Sequence, residues 1–195
     1  MPKRIVTTSE NVSHKKQKTF HWSSGLVQAV QNPELLVLSD DLVYVIKDKY
    51  PKSQCHFLII CKKDIGSLSD VKIEDIDLLK HMNEMAEKMK KSNDEYRSFN
   101  VGYHAEPSMS RLHLHVISDD MDSSHLKTKK HWNSFTTEFF ISSEVVIENL
   151  IKNKKVILPS KEECRKFLEL PLKCHKCDFK PKNMPDLKKH IVNHC

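Results

Sequence analysis

Apolar residues along the chain recur with the spacing of helices in some segments and of strands in others. The longest helical pattern covers about 71–91, where apolar positions fall every three or four residues. We expect this stripe to pack into the core of the protein. Shorter helices are predicted from Phe20 to about Val30, over 144–152 and over 162–168.

Five segments have the apolar content and flanking turn residues of β-strands. Residues 35–38 and 42–46 form a predicted hairpin around a polar turn, and 55–61 is an almost continuous apolar run. Shorter strands are predicted over 99–103 and 111–118, the second with strict alternation. Several strands with one long helix between them predict an α+β fold with a mainly antiparallel sheet.

The composition excludes several classes of protein. A chain of 195 residues is long enough for one domain with a sizeable core and a small appendage. Its three glycines are too few for the glycine-rich loops that bind ATP or dinucleotides. No long apolar run is present, so we expect neither a membrane segment nor a signal peptide. Six cysteines without a dense framework fit a reducing compartment.

Charge divides the chain into three regions. The net charge is +4 over 1–19, −2 over 20–160 and +4 over 161–195. This pattern predicts a near-neutral catalytic body between two ends that bind a polyanion, although two solvated basic tails would show the same charges. In the first region, which is polar enough to stay disordered, basic clusters at 3–4 and 15–18 have the spacing of a bipartite nuclear import signal. We therefore expect a nuclear protein, while a plain disordered tail explains the clusters equally well.

The C-terminal segment has the ligand spacing of a zinc finger, C-x2-C-x12-H-x3-H, at Cys174, Cys177, His190 and His194. Four protein ligands leave no open coordination position, so the Zn²⁺ would be structural. Leu187 occupies the usual core position, but Pro181 replaces the usual aromatic residue and Phe179 is the candidate to substitute for it. A single finger of this kind suits phosphate contacts better than base readout. The lysines placed for such contacts are Lys180, Lys182, Lys188 and Lys189.

Residues 111–117 read RLHLHVI and predict a strand with a polar face. Since side chains alternate along a strand, Arg111, His113 and His115 would share the face opposite the core. Two imidazoles and a guanidinium suit a phosphate, and an imidazole can attack phosphorus to form a phosphoramidate that water hydrolyses. An ordinary strand with one solvent-facing side would show the same alternation, and this stretch alone does not separate the two interpretations.

The stretch resembles the motif of the histidine-triad family, in which three histidines alternate with apolar residues. Segments at 45–52, 56–58, 102–110 and 129–135 are similar to the aprataxins, in which a histidine-triad domain is followed by a single zinc finger. The resemblance implies a histidine-triad fold over 20–160 and a zinc-finger region over 161–195. Aprataxins often carry an N-terminal forkhead-associated domain, which we do not expect here.

The resemblance also implies site residues. His113 corresponds to the nucleophile, His115 to a phosphate contact and His104 to a general acid. The first triad histidine, which supports the site, is replaced by Arg111, and an arginine could add a fixed positive charge for the phosphates. The other residues implied at the nucleotide or its phosphates are Asp48, His56, Ser108, Ser110, Lys130 and His131. The aromatic residues Phe20 and Trp22 would stack near the DNA end.

Several of these residues have a simpler explanation. His56 lies in an apolar strand and could be a hydrogen-bonded core histidine, and His104 could be a hydrogen-bonded residue at a strand end. Asp48, between two lysines, could be a turn residue. Serines after a proline are common turn formers, and Trp22 could anchor a helix.

The reaction implied by the resemblance is the reversal of abortive DNA ligation. AMP left on a 5′ end of DNA, or of an RNA–DNA junction, would be removed through an adenylyl-histidine, releasing AMP and a 5′-phosphate. We expect a monomer that binds DNA with damaged or adenylylated 5′ ends and needs no catalytic metal. Two alternatives remain, a histidine-triad hydrolase of dinucleoside polyphosphates or AMP-amines, and a non-catalytic DNA-end or RNA-binding module. The incomplete triad favours the second alternative.

Overall fold

The structure, a computed structural model, describes residues 25–96 and 98–194. The predicted basic tail 1–19 and the aromatic residues Phe20 and Trp22 lie outside the described residues. The strands are β1 (Leu36–Ser39), β2 (Val43–Lys47), β3 (His56–Cys61), β4 (Phe99–His104), β5 (His113–Ser118) and β6 (Phe140–Ser142). The α-helices are α1 (Gly25–Ala29), α2 (Ile76–Lys91), α3 (Lys129–Thr136), α4 (Ser143–Asn153), α5 (Lys161–Glu169) and α6 (Met184–Ile191). No helix within the described ranges is long and apolar enough to cross a bilayer.

The six strands form one sheet in the order β1-β2-β3-β5-β4-β6, and every pairing is antiparallel. The predicted α+β fold with an antiparallel sheet is therefore confirmed. The predicted hairpin 35–46 forms β1 and β2, while β6 and α3 were not predicted as elements. The apolar run of β3 is explained by its central place, since all six of its residues are buried.

Helix α2 packs on one face of the sheet and carries the expected apolar stripe. Leu79, Met82, Met85, Ala86 and Met89 are all buried in the main core. The predicted start of this helix near residue 71 is wrong, because the α-helix begins at Ile76. Two short 3-10 turns precede it, and a carboxylate caps each of them. The Asp70 carboxylate accepts the Ser67 N–H at 3.0 Å, and the Asp75 carboxylate accepts the Lys72 N–H at 2.9 Å.

The opposite face of the sheet is covered by two smaller apolar clusters. At one end, Leu26 of α1 packs on Ile46, Leu58 and Ile60. At the other end lies a second cluster, here called the finger cluster, which consists of Ile117, Met121, Leu126, Trp132, Phe135, Cys174, Leu187 and Ile191. Its members come from β5, the segment between β5 and α3, α3 itself and the C-terminal finger, so the finger shares a core with the sheet.

Polar contacts also fix the finger to the rest of the chain. The Trp132 indole N–H donates to the Lys173 carbonyl at 3.0 Å, and the Asn133 amide donates to the Leu170 carbonyl at 2.8 Å. His175, in the cysteine knuckle, hydrogen-bonds the Asp119 carbonyl at 2.8 Å. These contacts make the finger a part of the folded body rather than an appendage on a flexible linker.

Candidate active site and zinc site

The predicted nucleophile, His113, is the first residue of β5, and its orientation is set by the backbone before it. Its Nδ1 lies 2.8 Å from the Arg111 carbonyl oxygen. Because a carbonyl only accepts, Nδ1 must carry the proton, and the lone pair is left on Nε2. That is the tautomer a nucleophilic imidazole requires, held by a local backbone contact.

The prediction that Arg111 shares the strand face with His113 and His115 is wrong. The strand begins at His113, and Arg111 has φ 89°, a left-handed conformation that breaks the extended backbone. Its guanidinium donates to the Lys63 carbonyl at 2.9 Å and pairs with Asp64 at 3.1 Å. Arg111 therefore anchors the turn after β3, and a role in phosphate binding stays a prediction.

His56 and His115 lie on adjacent strands and form a hydrogen-bonded pair. In the register of β3 and β5, His115 is opposite Leu58 and His56 is opposite Ile117, so both imidazoles point to the same face. The Lys52 N–H donates to His56 Nδ1 at 3.2 Å, which leaves the His56 proton on Nε2. That proton is donated to His115 Nδ1 at 3.0 Å, so the His115 proton lies on Nε2. Among the described residues, this His115 nitrogen is buried without a partner.

His104 lies at the end of β4 with its ring centroid 4.5 Å from that of His115. Its Nε2 is likewise buried without a partner among the residues that the structure describes. Gly102, two residues earlier, is opposite His115, and a Cβ there would lie 2.5 Å from the Ile141 carbonyl oxygen. Only glycine permits this close approach of β6, which brings Phe140 over the histidines.

Burial keeps the four imidazoles uncharged. It lowers the pKa of His56 to about 4 and of His104 to about 3, and lowers the pKa of His113 and of His115 as well. The positive charges that the histidines would present to one another lower the pKa of His56, His104 and His115 further, as does the Lys52 ammonium. Neutral imidazoles at neutral pH supply both a lone pair for attack and N–H donors for a phosphate.

Lys52 was not identified as a site residue from the sequence. Burial lowers the pKa of its ammonium, which the Asp48 charge opposes, and its positive charge acts on His56, His104, His115 and His131. A cation among neutral imidazoles makes this face attractive to an anion. The only feature of the sequence that could have identified Lys52 was its place in the segment 45–52, which resembles the aprataxins.

Beside the histidines a cavity of about 470 Å³ opens between α1 and the sheet. Its apolar lining includes Leu26, Leu35, Ile46, Leu58 and Met109. Asp48 lies at its polar end, where its carboxylate accepts the Tyr50 N–H at 2.7 Å and approaches His56 Nδ1 at 3.5 Å. The cavity could hold a flat aromatic base with a sugar against the carboxylate.

The remaining predicted residues are divided between two places. Ser108 and Ser110 lie in the loop between β4 and β5 and line a different cavity, which α5 closes on its far side. Lys130 and His131 lie in the first turn of α3, where Lys130 is exposed and burial lowers the pKa of His131. The structure therefore brings together Asp48, His56, His104, His113 and His115, and leaves the serines at the edge.

The four finger ligands converge on one point. Their ligand atoms all lie within 4.8 Å of one another, and His190 Nε2 is 3.2 Å from Cys177 Sγ and 3.1 Å from His194 Nε2. Two sulfurs and two imidazole nitrogens are the donor set that tetrahedral Zn²⁺ prefers, so the residues fit a structural zinc ion. Phe179 stacks on the His190 ring at 4.1 Å, in the role expected of it.

Asp48, His56 and His115 also bring potential ligand atoms within 4.8 Å of one another. The Lys52 N–H and the bond between the two histidines already engage three of these nitrogens. That no catalytic metal is used stays a prediction.

The finger lysines differ in their surroundings. Lys180, Lys182 and Lys189 are exposed, whereas the Lys188 ammonium donates to the Ser123 carbonyl at 2.5 Å. This contact joins the finger to the body and engages the Lys188 ammonium, so a role of Lys188 at DNA phosphates stays a prediction. The other three predicted lysines remain exposed on the finger surface.

Comparison with known proteins places these features in a family. A family model described as "Scavenger mRNA decapping enzyme C-term binding" matches residues 22–131, and a "C2HE / C2H2 / C2HC zinc-binding finger" model matches 136–195. Aprataxin of Gallus gallus is 45% identical over 194 residues, covering 98% of this chain and 61% of the relative. An aprataxin-like protein of Saccharomyces cerevisiae is 35% identical, covering 87% of this chain and 94% of its own length. The chain thus spans less than two thirds of the chicken protein.

A solved structure shows the same fold. The crystal structure of an aprataxin ortholog, Hnt3, in complex with DNA matches with a TM-score of 0.72 at 24% identity, over 89% of this chain and 94% of that one. Because the match covers most of both chains, the overall fold is shared.

Proposed function

Because the chain belongs to the aprataxin family, we propose that it is a DNA-repair hydrolase that removes AMP from 5′-adenylylated ends of DNA and of RNA–DNA junctions. The observation that carries the proposal is the His113 tautomer, with Nδ1–H held by a backbone carbonyl and a lone pair on Nε2. Its products would be AMP and a 5′-phosphate end.

In the first step, His113 Nε2 attacks the phosphorus of the AMP group. A P–N bond forms, the P–O bond to the DNA 5′-phosphate breaks, and the leaving phosphate takes a proton from His104. In the second step, water replaces His113 on phosphorus and returns a proton to His104, giving AMP and the free imidazole. A His104 pKa near 3 in the free protein is too low for a general acid, so bound phosphates must raise it by favouring the charged imidazole.

Fixed donors would stabilise the charge that develops on the phosphorus oxygens. The His115 N–H is buried without a partner among the described residues, and the Lys52 ammonium adds a positive charge nearby. Preorganised donors in a dry site are worth far more than the same donors in water. The proposal therefore needs no catalytic metal, and the zinc ion has a structural role.

The apolar cavity beside the histidines would hold adenine, and Asp48 would accept hydrogen bonds from the ribose hydroxyls. The exposed finger lysines, together with Lys130, would bind DNA phosphates beyond the end. A nuclear location suits this function, and a monomeric state stays an expectation. Phe20 and Trp22 keep their proposed place against the DNA end.

The central test is the release of AMP from a nicked duplex that carries a 5′-adenylyl group, with wild-type protein and the His113→Ala variant. We expect the variant to lose AMP release while its affinity for the duplex, measured by fluorescence anisotropy, stays near wild type. Substantial turnover by the variant would falsify the nucleophile assignment.

The alternative of a small-nucleotide hydrolase is favoured by the cavity, which is built from the sheet and α1 without any finger residue. Turnover of diadenosine tetraphosphate should be compared with turnover of the nicked DNA. A higher kcat/KM for the dinucleotide would favour this alternative. A protein that cleaves neither substrate and forms no adenylyl-histidine would be a binding module.

A further inference from the structure

One aromatic side chain, Phe135 of α3, contacts most of the histidine cluster. Its ring centroid lies 4.6 Å from that of His104, 5.2 Å from that of His115 and 5.5 Å from that of His56. The ring planes are steeply inclined, at 61° to His104 and 88° to the other two. Phe135 is almost fully buried, so it fills the space above the three imidazoles.

The same ring belongs to the finger cluster on its other side. There it shares a core with Leu187 and Ile191 of α6 and with Cys174 of the knuckle. Helix α3, which carries Phe135, is fixed by the hydrogen bonds from Trp132 and Asn133 to carbonyls of the segment that leads into the finger. The position of the ring is therefore set by the finger and its linker.

We propose that Phe135 is a positioning residue, whose ring, supported by the finger core, holds His56, His104 and His115 in the orientation needed for AMP transfer. This proposal rests on the proposed function, because it names the residue that keeps that site in order.

The physical reason lies in the torsional freedom of histidine. The ring torsion χ2 is broad, so an imidazole with an unpartnered nitrogen can turn at little cost unless its neighbours block it. His104 and His115 each have such a nitrogen among the described residues. The hydrogen bonds from the Lys52 N–H to His56 and from His56 to His115 leave His115 Nε2 unbonded. Phe135 packs against both rings and blocks the rotation that these hydrogen bonds leave open.

A ring that also excludes water should influence protonation of the cluster. Burial is the largest cause of the lowered pKa of His56, of His104 and of His115. Besides one another, the titratable groups that act on these rings are His113, Asp48 and Lys52, and none of them is altered by a change at Phe135. A smaller side chain at 135 would admit water and raise the pKa values of these three histidines. A substitution that only lowers the stability of the fold would leave those pKa values unchanged.

The test compares Phe135→Leu with Phe57→Leu, both in zinc-loaded, full-length protein. Phe57 lies on β3 next to His56 but points to the main core on the other face, so it provides the same substitution without a histidine contact. With an adenosine 5′-phosphoramidate of a fluorescent amine, we expect Phe135→Leu to lower kcat by roughly 10- to 100-fold with little change in KM. Phe57→Leu should lower Tm comparably while kcat stays within about threefold of wild type.

A second measurement does not depend on activity. Long-range ¹H–¹⁵N spectra report which ring nitrogen carries the proton, and wild type should show Nε2–H for His56 and His115. Phe135→Leu should show mixed tautomers and a higher histidine pKa, whereas Phe57→Leu should match wild type. If Phe135→Leu does not fold, Phe135→Met, which keeps most of the volume, is expected to change in the same direction.

Wild-type tautomers together with wild-type kcat in a folded Phe135 variant would overturn the positioning role. If wild type itself releases no AMP from any adenylylated substrate, the proposed function fails. The spectra still decide between an ordered and a disordered histidine cluster in that case.

Discussion

Acid should destabilise this protein well above the pH at which its carboxylates titrate. His56 and His104 are buried and uncharged, with pKa values lowered from 6.5 to about 4 and about 3. In the unfolded chain both regain a pKa near 6.5, so between these values the unfolded state binds more protons than the folded state. Stability is therefore lost as pH falls below about 6.5, and the loss levels off only near the folded pKa values.

The magnitude follows from the proton difference. Each neutral histidine contributes a slope of about 1.4 kcal/mol per pH unit while it is protonated only in the unfolded state. From about pH 6.5 to about pH 5 the loss is ~2 kcal/mol for each residue, or ~4 kcal/mol for His56 and His104 together. His113 and His115 shift in the same direction and add to this. A typical domain has only about 5–15 kcal/mol to lose.

The assay is urea unfolding of the zinc-loaded protein at about pH 7 and about pH 5, above the range in which Asp and Glu titrate. Zinc binding is itself pH-dependent, so a comparison of wild type at two pH values would not isolate the histidine cluster. The matched variant is His104→Asn, which removes one of the neutral histidines and leaves the finger intact. Its loss of unfolding free energy across this range should be ~2 kcal/mol smaller than that of wild type. An identical pH dependence in the two proteins would refute the argument that His104 is neutral in the fold.

The other predictions concern the zinc ion, the arginine at the first triad position and the finger lysines proposed to bind DNA. Purified protein should hold one zinc ion per chain by elemental analysis and release AMP without added Mg²⁺, and a strict Mg²⁺ requirement would contradict the metal-free mechanism. Arg111→His should retain activity on adenylylated DNA, because the guanidinium binds the turn after β3, and complete loss in a folded variant would reveal an essential role. Replacing Lys180, Lys182 and Lys189 together by Gln should reduce the slope of log K against log salt by about 0.9 for each DNA phosphate that these lysines neutralise. Lys91→Gln, on the surface of α2, is the matched control, and an unchanged slope in the triple variant would place the DNA elsewhere.

Removal of the whole finger is a poorer experiment than these point variants. Cys174, Leu187 and Ile191 are core residues of the finger cluster, which they share with Trp132 and Phe135 of α3. Truncation would expose Trp132 and Phe135 to water. A loss of activity would then report unfolding as readily as weaker DNA binding.

Local patterns predicted much of the candidate site. Ligand spacing identified the zinc finger, because a knuckle and a helix face are both short-range geometries. Alternation put His113 and His115 on one face of a strand, and the structure confirms that they share it. The resemblance to a known family supplied His56, His104 and Asp48, which no local pattern would have joined to β5.

Local patterns failed where backbone conformation or long-range packing decides. Strict alternation suggested that Arg111 continues the strand, but a single residue with φ 89° turns it away. The apolar stripe suggested a helix from about residue 71, but two carboxylate caps delay its start to Ile76. Spacing also placed Lys188 with the other finger lysines and gave no sign that a carbonyl 65 residues earlier in the chain binds its ammonium.

The sequence by itself determined five of the six strands and the long helix, since hydrophobic period and turn residues act over a few residues. Strand β6 and helix α3 were missed. The sequence also determined which side chains can react or bind metal, namely the imidazoles on a strand and the Cys2His2 ligands of the finger. Only the tertiary structure decided the protonation of those imidazoles and the packing of Phe135 against them. A pKa depends on burial and on charges such as Lys52 that are distant in sequence, and Phe135 meets His104 and Leu187 only because α3 packs between the sheet and the finger. Such contacts carry no local signature, because they arise when separate elements compete to exclude water from one shared core.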